Sequence, residues 1–113
     1  MVHDCLFCRI VRREIPATVV AEDEHCLAFR DIAPKAPTHV LVIPKVHVRT
    51  LDDADDASVV GRMLLMAARV ARDEGIAAAG YRTVVNTNAG AGQTVFHLHA
   101  HVLGGRPLEW PPG

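Results

Sequence analysis

Between Asp55 and Glu74 apolar residues recur at helical spacing, with Val59, Met63, Met66, Ala67 and Val70 on one stripe. Aspartates precede the stripe, Arg69 and Arg72 stand near its end and Gly75 follows, which is the charge order and stop signal of a long helix. Elsewhere the apolar runs are short and alternating. ATVVAED (17–23) and HCLAFRD (25–31) read as a hairpin turning around Glu22 to Glu24, and THVLVIPK (38–45) as a third strand entered through the APKAP loop. YRTVVNTN (81–88) reads as a fourth strand, NAGAG as a loop, and TVFHLHAHVLGG (94–105) as the last long strand. Near the start, Asp4 can cap a short helix carrying Cys5, Cys8 and Arg9, ended by the turn at Ile15 to Ala17. Strands joined by short turns, with one long and one short helix, predict an antiparallel α+β fold.

No repeat, linker or low-complexity tract interrupts the 113 residues, so residues 1–113 read as one domain, half of it apolar and long enough to bury a core. A formal net charge of -1 supplies no basic footprint, which argues against a nucleic acid polymer as partner while leaving a single nucleotide open. The N-terminus lacks the apolar region of a signal peptide and no stretch approaches a membrane span, so the expectation is a cytoplasmic protein with no membrane partner. Three cysteines, two of them in a C-x-x-C pair, suit metal or thiol chemistry in a reducing compartment better than a disulfide framework.

The densest chemistry lies at His97, His99 and His101. Strand residues alternate between faces, so these imidazoles share one face while Leu98, Ala100 and Val102 take the other. Histidine titrates near neutrality, acts as a nucleophile and ligates metals, which makes a row of three a candidate site. The loop Gly90 to Thr94 before it can bring backbone N–H groups close to an anion. Cys5 and Cys8 have the spacing of a zinc-binding pair, whereas Cys26 inside a strand pattern reads as a small core residue.

HLHAHVL resembles the His-φ-His-φ-His-φ-φ signature (φ apolar) of the histidine triad family. The likeness continues through DCLFCRIVRREIPA, CLAFRDIAPKAPTHVLVIPKVH, NTNAGAGQTVFHLHAHVLGGR and the terminal WPPG. It is most similar to the Hint branch, whose members are homodimeric nucleoside phosphoramidate hydrolases, and to members bearing zinc on Cys-x-x-Cys.

The resemblance implies a five-stranded antiparallel sheet continued across a homodimer, and hydrolysis of an AMP-type phosphoramidate through a nucleotidyl-histidine. His99 is then the nucleophile, His101 contacts the phosphate oxygens and His39 completes the triad. Gly92, Gln93 and Thr94, with Asn86 nearby, match the family's phosphate contacts. Many Hint proteins carry serine where this chain has Thr94, which keeps the hydroxyl but adds a methyl group. Asp31 falls where the family holds the ribose hydroxyls, and Phe7, Ile10, Phe29, Ile32 and Leu41 where it sandwiches a purine base. His47 and His97 join Cys5 and Cys8 as ligands of a structural zinc. The tail from Trp110 to Gly113 should leave the domain as an extended segment, lying across the dimer in similar proteins.

Other readings fit the residues too. Dinucleoside polyphosphate hydrolysis and nucleotidyl transfer could use the same nucleophile, and His-x-His could supply two ligands of an open hydrolytic zinc site. A zinc-stapled nucleotide-binding module with little turnover is the non-enzymatic alternative.

Overall fold

A computed structural model describes residues 4–113. Five strands run in the order β1 (Val19–Glu22), β2 (Cys26–Arg30), β3 (Thr38–Pro44), β5 (Ala100–Gly104), β4 (Tyr81–Val84), every neighbouring pair antiparallel. The expected architecture is therefore present, with α1 (Leu6–Val11) and α2 (Ala57–Asp73) as its short and long helices. No helix among the described residues is long and apolar enough to cross a membrane.

Local chemistry accounts for the ends of each element. The β1–β2 turn closes on Asp23, whose Oδ1 accepts the N–H groups of His25 and Cys26 at 2.8 Å each. Asp56 caps α2 by accepting the Ser58 N–H at 2.9 Å. At the other end Gly75 (φ +76°) takes the left-handed position of a Schellman turn: its N–H reaches Arg72 O and that of Ile76 reaches Ala71 O. α1 departs from expectation at both ends. Its cap is Cys5, whose sulfur accepts the Cys8 N–H, and not Asp4. It stops at Val11, before the proline turn, because Arg13 (φ 63°) occupies the same kind of left-handed turn, with Glu14 N–H on Arg9 O.

The sheet is covered on both faces. Ala28, Val40, Val42, Ala100 and Val102 point toward α2 and pack with its buried Met63, Met66, Ala67 and Val70. Of the predicted stripe only Val59 is half-buried, and Ala71 is buried in its place. Leu27, Phe29, Leu41 and Ile43 point the other way and pack with Phe7 and Ile10 of α1. β3 is buried at every position, which is why its sequence runs apolar without alternation.

The last strand is shorter than its pattern predicts. Pairing begins only at Ala100, so His97 and His99 lie in the irregular segment leading into β5 and only His101 is in the ladder. Alternation persists nonetheless, because Leu98 joins the α2-side core and its N–H bonds Val48 O at 2.6 Å. β4 likewise ends at Val84, leaving the rest of YRTVVNTN outside the sheet.

Leu98 is 1 % exposed, and truncating it opens a cavity under α2. Leu98→Ala should lower unfolding free energy by about 2–5 kcal/mol in a urea titration. A loss below about 1 kcal/mol would show that this segment is not anchored in the core.

Candidate functional site

Each histidine of the site has a tautomer set by its neighbours. His99 Nδ1 lies 2.7 Å from the carbonyl of His97, so Nδ1 carries the hydrogen and donates it, leaving a lone pair on Nε2. His39 Nδ1 accepts the Lys35 N–H at 3.0 Å, which puts the His39 hydrogen on Nε2. That Nε2 lies 2.9 Å from His101 Nδ1 and donates to it, so His101 in turn carries its hydrogen on Nε2. The result is a lone pair on His99 beside an N–H donor on His101, their rings 5.1 Å apart.

Burial keeps these rings neutral. It pushes His101 down to about 4 and lowers His39 and His99 as well, the Asp31 carboxylate only partly opposing it. Asp31 Oδ2 is 3.4 Å from His39 Nε2 while Oδ1 accepts the Ala33 N–H. Asp31, His39 and His101 thus converge as a metal-binding group could. The Lys35 N–H opposes that use, because His39 would have to present the Nε2 lone pair and carry a hydrogen on Nδ1, where a donor already points.

The first triad histidine turns elsewhere. His97 is fully buried, and its Nε2–H donates to Pro44 O at 2.7 Å, leaving Nδ1 free to ligate. Nδ1 lies 3.4 Å from Cys5 Sγ, 3.5 Å from Cys8 Sγ and 3.2 Å from His47 Nδ1, and Cys8 Sγ lies 3.3 Å from His47 Nδ1. These four residues, brought together from three parts of the chain, could hold a metal ion. Burial lowers His97 to about 4, so the ring is neutral as ligation requires. Cys26 takes no part: it sits in the core, and burial raises its thiol to about 11.

Beside the histidines lies a cleft of about 650 Å³ lined by Phe7, Ile10, Phe29, Asp31, Ile32, Leu41 and Thr94, all expected from the sequence. Phe7 stands edge-on to Phe29 and His99, at 5.4 and 5.2 Å between ring centres, and so joins the cleft wall to the His99 ring. Ile32 is fully exposed at the rim. Ile15, Pro16, Ala17 and Val95 also line the cleft and were missed. The IPA turn was legible, but its folding back against β2 was not.

The glycine loop is arranged differently from expectation. Gly92 and Gln93 donate their backbone N–H groups to Ala89 O and Asn88 O. The buried Gln93 side chain accepts the Asn88 N–H and donates to Arg49 O and Val95 O, so it braces the loop. Asn86 is not among the residues lining the cleft. Thr94 is exposed, lines the cleft and makes no hydrogen bond among the described residues, which leaves it available to an anion.

A family profile described as HIT domain matches residues 12–108. The chain belongs to the HIT family. It is 53% identical over 115 residues to a HIT-like protein of Synechococcus elongatus, covering all of both chains. It is 49% identical over 110 residues to the purine nucleoside phosphoramidase of Escherichia coli, covering 96% of this chain and 92% of that one. Among solved structures, a HIT family hydrolase from Legionella pneumophila superimposes with a TM-score of 0.94 at 53% identity, covering 97% of this chain and 100% of that one. The fold is thus a HIT fold, and the family membership and these relatives make the chain a HIT hydrolase.

Neutral His39 and His101 make stability depend on acid. Their folded pKa values lie below the ordinary histidine value of about 6.5, so as pH falls the unfolded chain takes up protons first. Their contribution is complete above about pH 6.5 and is lost as pH drops toward about 4. Melting temperature should fall across that window, and less steeply in His101→Gln, which has one titrating ring fewer. Equal slopes in the two proteins would contradict this assignment.

Proposed function

We propose that this chain, as a single HIT domain, hydrolyses the P–N bond of purine nucleoside phosphoramidates through a covalent intermediate on His99. The observation that carries the reading is the paired tautomers: a nucleophilic Nε2 on His99 next to an Nε2–H donor on His101. The phosphoramidase relative at 49% identity supports the substrate class.

The purine lies in the apolar cleft between Phe7, Ile10, Phe29, Ile32 and Leu41, and Asp31 accepts hydrogen bonds from the ribose hydroxyls. Thr94 and the His101 N–H hold the phosphate oxygens. His99 Nε2 attacks the α-phosphorus and the P–N bond breaks; the leaving amine takes a proton from solvent, while the His101 Nε2–H, oriented by His39, holds the phosphoryl oxygens. Water then cleaves the phosphorus–imidazole bond and gives up a proton to solvent, leaving AMP and free His99. The carbonyl of His97 stabilises charge on the His99 ring while it is phosphorylated, through its hydrogen bond to Nδ1.

The Cys5, Cys8, His47 and His97 cluster fits a structural zinc. For tetrahedral zinc, bond lengths of about 2.0–2.1 Å to nitrogen and about 2.3 Å to sulfur put two nitrogens, or a nitrogen and a sulfur, roughly 3.3–3.6 Å apart. The observed separations run from 3.2 to 3.5 Å. Four protein ligands leave no open position, so the ion would tie α1 to the segment entering β5 and would not act on substrate. The protein works as a cytoplasmic homodimer, for which the exposed Leu64 and Leu65 of α2 and the free edge strand β4 offer surface. The tail with Trp110, 83 % exposed on the protomer, reaches the partner's site.

The deciding experiment is turnover of adenosine phosphoramidate by the purified protein. His99→Ala should lower kcat by roughly three orders of magnitude or more while leaving AMP affinity within about tenfold. Binding of AMP without turnover by the wild type would instead favour the nucleotide-binding module. Cys8→Ser should lose bound zinc on metal analysis and lower stability by on the order of a few kcal/mol, yet keep appreciable turnover well below its melting temperature. Unaltered metal content and melting temperature would reduce the cysteines to buried thiols.

A further inference from the structure

The loop from Asp31 to Pro37 joins β2 to β3 and carries the Lys35 amide that sets the tautomer of His39. Several restraints on it are internal. Asp31 Oδ1 accepts the Ala33 N–H at 2.8 Å, Lys35 Nζ donates to Ala33 O at 2.8 Å, and Asp31 N–H bonds His39 O at 3.0 Å. Pro34 and Pro37 fix φ at two further positions.

Further restraint arrives from the segment after β5. Arg106, just beyond β5, donates from Nη2 to Lys35 O at 2.9 Å and from Nη1 to Pro107 O at 3.1 Å, bridging the C-terminal segment and the loop. Gly105, at φ +91°, lets the chain pass so closely that a Cβ there would lie 2.9 Å from Pro37 Cβ. The segment after β5 is therefore laid against this loop at two points.

These contacts form a continuous chain. Arg106 holds Lys35 O, the N–H of Lys35 meets His39 Nδ1, His39 Nε2–H meets His101 Nδ1, and His101 is left with its hydrogen on Nε2. We propose that Arg106 is a positioning residue for the reaction: by holding the Lys35 carbonyl it keeps the Lys35 N–H aimed at His39, and thereby keeps His101 in the Nε2–H tautomer that can hydrogen-bond the phosphoryl oxygens. The rate consequence rests on the phosphoramidase reading, whereas the tautomer consequence does not.

The test uses the full chain with metal bound. Arg106 is exposed, so Arg106→Met keeps the aliphatic stem and the fold while removing the donor. In ¹⁵N-labelled protein, imidazole correlation spectra should show His39 and His101 wholly as Nε2–H tautomers in the wild type and as mixtures in Arg106→Met. With adenosine phosphoramidate, kcat should fall about threefold to tenfold at nearly constant KM, and Arg106→Lys, which keeps one donor, should recover much of the loss. Unchanged tautomers in Arg106→Met would overturn the inference whatever the rate does. Mixed tautomers with unchanged kcat would overturn it as well. A wild type that does not turn over the substrate would sink the functional reading alone, and the spectra would still decide this one.

Discussion

The 2.7 Å hydrogen bond from His99 Nδ1 to the His97 carbonyl depends on a peptide held from several sides. The His97 ring is sealed from solvent, anchored through Nε2 to Pro44 O and through Nδ1 among Cys5, Cys8 and His47. Its neighbour Leu98 is locked into the α2-side core and bonded to Val48 O. A residue fixed so firmly has no freedom to rotate its carbonyl away, and His99 must therefore present Nε2. The cluster that could hold a metal ion, the α2-side core and the hydrogen bond that sets the His99 tautomer thus meet around one residue.

Burial serves the chemistry as well as the fold. β3 is covered on both faces, by α2 on one and by α1 with the histidine layer on the other. Charging a ring in such surroundings costs desolvation, so His39, His99 and His101 stay neutral where an exposed histidine would be partly protonated. Neutrality is the condition for both a lone pair on His99 and an ordered donor chain through His39 and His101. Phe7 contributes twice, as core against Phe29 and as the wall that dries His99.

Two clusters of similar composition have opposite characters because of single hydrogen bonds. At Cys5, Cys8, His47 and His97 the Pro44 carbonyl takes the Nε2 hydrogen and frees Nδ1 for a metal. At Asp31, His39 and His101 the Lys35 amide claims the Nδ1 lone pair of His39 and leaves its Nε2 a donor. Neither bond can be foreseen from residue types: the Pro44 carbonyl comes from the end of β3, far from His97 in sequence, and the Lys35 amide, though close to His39 in sequence, meets its ring only through the folding of the loop before β3. Gln93 teaches the same lesson: polar and beside a glycine loop, it matches a phosphate contact, yet its amide is used on Arg49, Val95 and Asn88.

Periodicity was enough for the strand order of burial, the long helix with its Gly75 stop and the sharing of one face by the three histidines, because these follow from local geometry repeated along the backbone. The spacing of Cys5 and Cys8 and the histidine signature pointed to residues that the fold brings together, in the cluster that could hold a metal ion and in the neighbouring group of His39, His99 and His101. The early end of α1 was hidden, since Arg13 adopts a left-handed turn normally left to glycine or asparagine. Hidden too were the shortness of β5, the bracing role of Gln93 and every tautomer in the site. Those depend on which donors and acceptors the folded chain brings against each side chain, whether near in sequence as at Lys35 and His39 or far as at Pro44 and His97, and such pairings have no period for a linear pattern to carry.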